Sequence, residues 1–135
     1  SLDNQSANTY GQLGIIFRRA RNYEGANPLL KCAVRGCTAE ENEMGKVAVE
    51  GLPLTSLTIA YYYVEYGTNL AFLSKPNENY CAEALLVLEQ VRAYRPDDAT
   101  LIGIVNDSEG ICRRLEGNLA EQKSATPAPT PSPSP

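Results

Sequence analysis

The stretch from Tyr80 to Leu115, YCAEALLVLEQVRAYRPDDATLIGIVNDSEGICRRL, decides the fold. Ala84, Leu88 and Val91 recur at helical spacing and give the first part, Cys81 to Tyr94, one apolar face. Pro96 ends that helix, because the residue before a proline avoids the helical region. Asp98 stands where it can cap a second helix, whose apolar residues Leu101, Ile104, Val105 and Ile111 again fall three or four apart. If the turn centres near Pro96 and Asp97, antiparallel packing sets position 81 opposite position 112, and both are cysteines. The hairpin geometry therefore predicts a Cys81–Cys112 disulfide.

The remaining cysteines, Cys32 and Cys37, have their own local argument. Gly36 sits where a helix-ending glycine belongs, and in a Schellman ending the next residue folds back toward one five positions earlier. That places Cys37 near Cys32, subject to the usual Cα–Cα limit of about 7 Å. Two disulfides in a small domain point to an oxidising compartment outside the cytosol, and so to an exported, extracellular or cell-surface protein. The alternatives are reduced buried thiols, or a metal site of four thiolates at a spacing unlike a zinc knuckle, in a chain without histidine. The chain opens with Ser1 rather than Met, as either a processed mature form or a truncated one would.

Composition narrows the function classes. A length of 135 residues allows one domain with a modest core. The net charge of −4 argues against a nucleic-acid partner. No apolar run approaches the ~18 residues that a membrane span needs. Charge is uneven along the chain. Positions 15–37 hold Arg18, Arg19, Arg21, Lys31 and Arg35 against Glu24, while 38–56 hold Glu40, Glu41, Glu43 and Glu50 against Lys46. These read as solvated faces, or as two patches that meet within or between molecules.

Earlier in the chain, Ser6 is placed to cap a helix from about Ala7 to Arg21 with Tyr10, Leu13, Ile16 and Phe17 inward. A second helix is expected from about Glu24 to Arg35, with Pro28 in its first turn. Positions 38–55 form a long insert, acidic at first, then alternating through Val47, Val49, Leu52 and Leu54. The insert reads as a packed loop, a short strand or a contact arm. Thr55 or Ser56 caps a third helix, Leu57 to about Ser74, in which Tyr63, Tyr66 and Leu70 share a face with Gly67. Tyr61 and Tyr62 cannot both be buried on that face. Positions 1–123 form the helical domain. The tail 124–135 alternates Ala, Thr and Ser with Pro, favours an extended polyproline conformation, and reads as a tether or spacer. In an exported protein its Thr126, Thr130, Ser132 and Ser134 would be O-glycosylation candidates. Asn4-Gln5-Ser6 and Asn106-Asp107-Ser108 match the N-glycosylation sequon, the second within a helix.

Two stretches repeat a pattern. Leu13-Gly14 is followed by Phe17, Tyr23, Ala26, Leu30 and Ala33; Tyr66-Gly67 is followed by Leu70, Tyr80, Ala84, Leu88, Val91 and Pro96. The pattern resembles the tetratricopeptide repeat, with its large-Gly pair on the first helix, small Ala early in the second and closing Pro. The resemblance implies an all-α fold: two antiparallel helical hairpins stacked as a short right-handed solenoid, about five helices with a terminal capping helix. It also implies a protein-interaction module whose groove is lined by Asn8, Ile15, Arg18 and Arg19 in the first unit. In the second unit the matching positions are Tyr61, Val64, Thr68 and Phe72. Arg18 and Arg19 are suited to clamp a carboxylate. The sequence has no histidine and no phosphate loop, so neither enzyme nor cofactor is expected. A protein partner is the first expectation. The alternative is a structural subunit that polymerises head to tail into an extracellular filament, with the tail and any covalent glycan in the contacts. A third reading is a groove for a peptide or glycan.

Overall fold

The computed structural model describes residues 4–125, with side chains from Ser6 to Glu121. Among the described residues the fold is all-α apart from one pair of two-residue strands. Its elements are α1 (Asn4–Arg19), α2 (Tyr23–Arg35), β1 (Gly36–Cys37), β2 (Val49–Glu50), α3 (Leu57–Leu73), α4 (Cys81–Tyr94) and α5 (Ala99–Ala125). Each helix packs on the next in chain order, and α5 also covers part of α3. No described helix is long and apolar enough to cross a membrane.

Local chemistry sets most of the helix ends. Ser56 Oγ accepts from the Ile59 amide at 3.2 Å, and Asp98 Oδ1 accepts from the Leu101 amide at 3.0 Å, so α3 and α5 begin on side-chain caps as expected. Other ends differ from the sequence reading. Helix α1 already runs through Ser6, so Ser6 is not its cap. Asn22 caps α2 instead, its Oδ1 accepting from the Gly25 amide at 2.9 Å. Pro28 therefore lies inside α2 rather than in its first turn, and its missing N–H leaves the Glu24 carbonyl without the usual helical donor. Helix α5 continues to Ala125, past the expected end near 115–122 and two residues into the predicted tail.

A Schellman ending is present, but at the other helix. Arg21 takes φ 68°; its amide donates to the Arg18 carbonyl at 2.8 Å, and the Asn22 amide donates to the Phe17 carbonyl at 2.9 Å. At the end of α2, Gly36 has φ 83° and ψ 170°, which turns the chain into β1 rather than back on itself. A side chain there would collide with the Val49 carbonyl oxygen, so the approach of β2 requires glycine. Gly36 pairs with Glu50 and Cys37 with Val49, antiparallel. Of the alternating insert residues, Val49 and Leu52 are buried whereas Val47 is exposed, so the insert is a packed segment tied to the end of α2.

The repeated residues meet in equivalent ways. A Cβ on Gly14 would lie 2.5 Å from Leu30 Cγ; one on Gly67 would lie 2.8 Å from Leu88 Cγ. In both helix pairs the glycine of the first helix receives the leucine of the second, and Leu30 and Leu88 are fully buried. The two disulfides are Cys32–Cys37, with Cα atoms 4.9 Å apart, and Cys81–Cys112, at 5.5 Å. The second joins the start of α4 to α5 across 31 residues, as the hairpin geometry requires.

Candidate functional site

The eight positions assigned to a groove do not form one continuous open surface. Val64 and Thr68 are buried. They stand one turn apart on α3, and Thr68 Oγ1 is 2.7 Å from Ser108 Oγ of α5. The terminal helix thus meets this face at Thr68, and these two buried residues leave the candidate surface. Tyr61 is half-buried against the core. Phe72 is 41% exposed and meets the Tyr23 ring edge-on, with centroids 5.2 Å apart.

In the first unit, Asn8 is half-buried and its Oδ1 accepts from the Tyr62 hydroxyl at 3.3 Å, while Ile15 packs against the core. Arg18 and Arg19 do clamp a carboxylate, but an internal one. Arg18 Nε donates to Glu65 Oε1, and Arg19 Nη2 stands 3.6 Å from Glu65 Oε2. Glu65 is 3% exposed in the middle of α3. A buried carboxylate without a cation would be strongly unfavourable, so the two arginines serve the fold here, joining α1 to α3. Glu65 as the one charged residue in the run from Ile59 to Ala71 was the available signal.

The acidic and basic stretches do touch within the molecule, through Lys31 and Glu41 at 3.5 Å. Arg35 reaches further, donating to Glu83 at 2.7 Å and so linking α2 with α4. Asn106 Oδ1 accepts from Arg92 of α4 at 2.8 Å, so this sequon asparagine is engaged within the last helix pair. The candidate glycosylation residues Thr126, Thr130, Ser132 and Ser134 lie outside the described residues.

The structure adds a cavity that the sequence did not disclose. It measures about 230 Å³ and lies between α1, α2 and the insert. Tyr10, Phe17, Leu29 and Cys32 supply apolar wall, and Met44 stands at the edge, 59% exposed. Asn42 organises the insert at this point. Its side chain is buried, accepts from the Met44 and Gly45 amides at 3.0 and 3.1 Å, and donates to the Val47 carbonyl at 2.8 Å and the Tyr10 hydroxyl at 3.2 Å. Glu24, Glu41 and Glu43 also line the cavity. The Thr38 backbone N–H, then Lys31, hold the Glu41 carboxyl below its ordinary range, so it is ionised at neutral pH. The signal in the sequence was Asn42 followed three residues later by Gly45, an Asx-type turn inside a stretch read only as polar.

Comparison of the chain with protein-family models, with curated proteins and with solved structures gives no match.

Proposed function

We propose that this chain is an exported, tetratricopeptide-like module that makes protein–protein contacts and carries out no reaction of its own. The observation that carries the reading is the repeated interlock: Gly14 receives Leu30 and Gly67 receives Leu88 at corresponding places in successive helix pairs. Stacked helix pairs of this kind build a short solenoid whose surface serves recognition. Helix α5, stapled by Cys81–Cys112 and meeting α3 at Thr68, acts as the terminal cap. The two disulfides suit an oxidising location. The Pro-rich tail serves as tether or glycosylated linker. The recognition surface is the first helix pair with its insert, where Ile16, Met44 and Val47 are exposed.

Selection of a displayed random-peptide library on the oxidised full chain tests the reading. The expected result is a consensus sequence that binds the folded chain and is lost on reduction and unfolding. Failure to enrich any consensus overturns it. Electron microscopy of the purified chain is expected to show discrete particles. Long regular filaments would move the reading to the structural-subunit alternative.

A further inference from the structure

The cavity between α1, α2 and the insert is too small for most small-molecule ligands and too well built to be a packing defect. Pockets that enclose drug-sized ligands run to about 300–1,000 Å³. An apolar cavity of about 150 Å³ accepts a benzene ring. At about 230 Å³, this one suits a single aromatic side chain. Its walls are fixed in advance. Cys32 is held to Cys37 by the disulfide, and Asn42 bonds both to Tyr10 and to three backbone groups of its own loop. A preformed pocket avoids the cost of ordering a loop on binding. Met44, unbranched and polarizable, is suited to close over a ring.

The charge around the cavity selects what accompanies that ring. Glu24, Glu41 and Glu43 line it. Glu41 pairs with Lys31, whereas neither Glu24 nor Glu43 makes an ion pair with a described residue. Acidic groups beside an apolar slot favour a cationic partner and disfavour an anionic one. We propose that this cavity is the specificity pocket of the interaction module, taking one aromatic side chain of a partner protein's peptide segment whose neighbouring residues are Lys or Arg. The proposal rests on the interaction-module reading and names its partner chemistry.

The test is an NMR titration of the isotope-labelled, oxidised full chain with the peptide amide Gly-Lys-Phe-Lys-Gly. The expected result is saturable shifts at the amides of Gly25, Cys32, Asn42 and Met44. Replacing Phe by Ala, or both Lys by Glu, should weaken binding tenfold or more. The exposed substitution Met44→Arg should do the same while the remaining spectrum stays native. Absence of saturable shifts at those amides overturns the pocket, as does equal binding of the Ala peptide. Concentration-dependent shifts at the same amides without peptide would assign the cavity to a second copy and overturn a peptide occupant. A library consensus that binds equally well to Met44→Arg would reject the pocket yet leave the module reading standing, whereas the absence of any consensus would reject the module itself.

Discussion

The two helix pairs share one interlock but live in different surroundings. In the first, α1 keeps a half-open flank: Ile16, expected inward, is 60% exposed. In the second, α3 is buried without a break from Tyr62 to Ala71, because α1, α2, α4 and α5 all touch it. The glycine–leucine contact is therefore the property of the repeat, and the surrounding polarity is the property of position. A fully surrounded helix needs internal partners for its polar residues. Accordingly α3 carries Glu65 paired with Arg18, Thr68 against Ser108, and Asn69 donating to the Tyr23 carbonyl at 2.9 Å.

The largest test of this contrast removes each disulfide in turn. Loop-closure entropy depends on the length of chain enclosed, which is 31 residues for Cys81–Cys112 and 5 for Cys32–Cys37. Replacing both cysteines by alanine should cost about 4 kcal/mol in the second pair and about 2 kcal/mol in the first, read from urea denaturation. Equal losses would break the contrast.

The interlock itself comes next. Gly14→Ala and Gly67→Ala each gain helix propensity of about 1 kcal/mol but overpack a buried leucine at a cost of about 1–3 kcal/mol, for a net loss of up to about 2 kcal/mol. Gly14→Ala should cost more, because its Cβ would also press within 3.2 Å of the Leu30 backbone nitrogen. In each pair, trimming the facing leucine to alanine should be less harmful in the glycine-substituted chain than in the parent, a non-additivity measured by a double-mutant cycle. Additive losses would mean that the glycines do not receive the leucines in solution.

Alkaline pH probes the burial of α3. Burial, then the nearby Glu83 charge, pushes the Tyr66 phenol from 10.0 up to about 12, against the opposing effect of Arg35. Below pH 10 the phenol is neutral in folded and unfolded chain alike. Between the two values the unfolded chain ionises and the folded chain does not, so stability falls as pH rises from about 10 to about 12. Tyr66→Phe should flatten part of that decline in a series of denaturation curves. An unchanged slope would show that Tyr66 does not carry it. The smallest effect is expected at Arg35–Glu83, a more exposed ion pair between the two helix pairs. Both side chains are about a third exposed, so Arg35→Ala should cost under about 1 kcal/mol and less still in high salt.

Much of the skeleton was legible because its causes are local. The caps at Ser56 and Asp98 and the stop at Pro96 act through neighbouring residues, and the periodic apolar faces needed no distant partner. Register in one hairpin then brought Cys81 to Cys112. The Schellman ending was misplaced because glycine is its usual signal, whereas α1 achieves it with Arg21. The candidate site was less legible. Arg18 and Arg19 were read as groove residues suited to clamp a carboxylate; the carboxylate they meet is Glu65, 46 positions beyond Arg19 in the sequence and buried.

By itself, the sequence determined the helical class, the order of the helices and the Cys81–Cys112 pairing. Each follows from spacing within one helix or one hairpin. Only the tertiary structure decided which faces stay open. The packing of α5 on α3 closed Thr68, and the insert folded over α1 and α2 to enclose the cavity beside Met44. A pattern of apolar residues says that a face must be covered. It does not say by what, because burial is settled by segments far apart in the chain competing for the same surface.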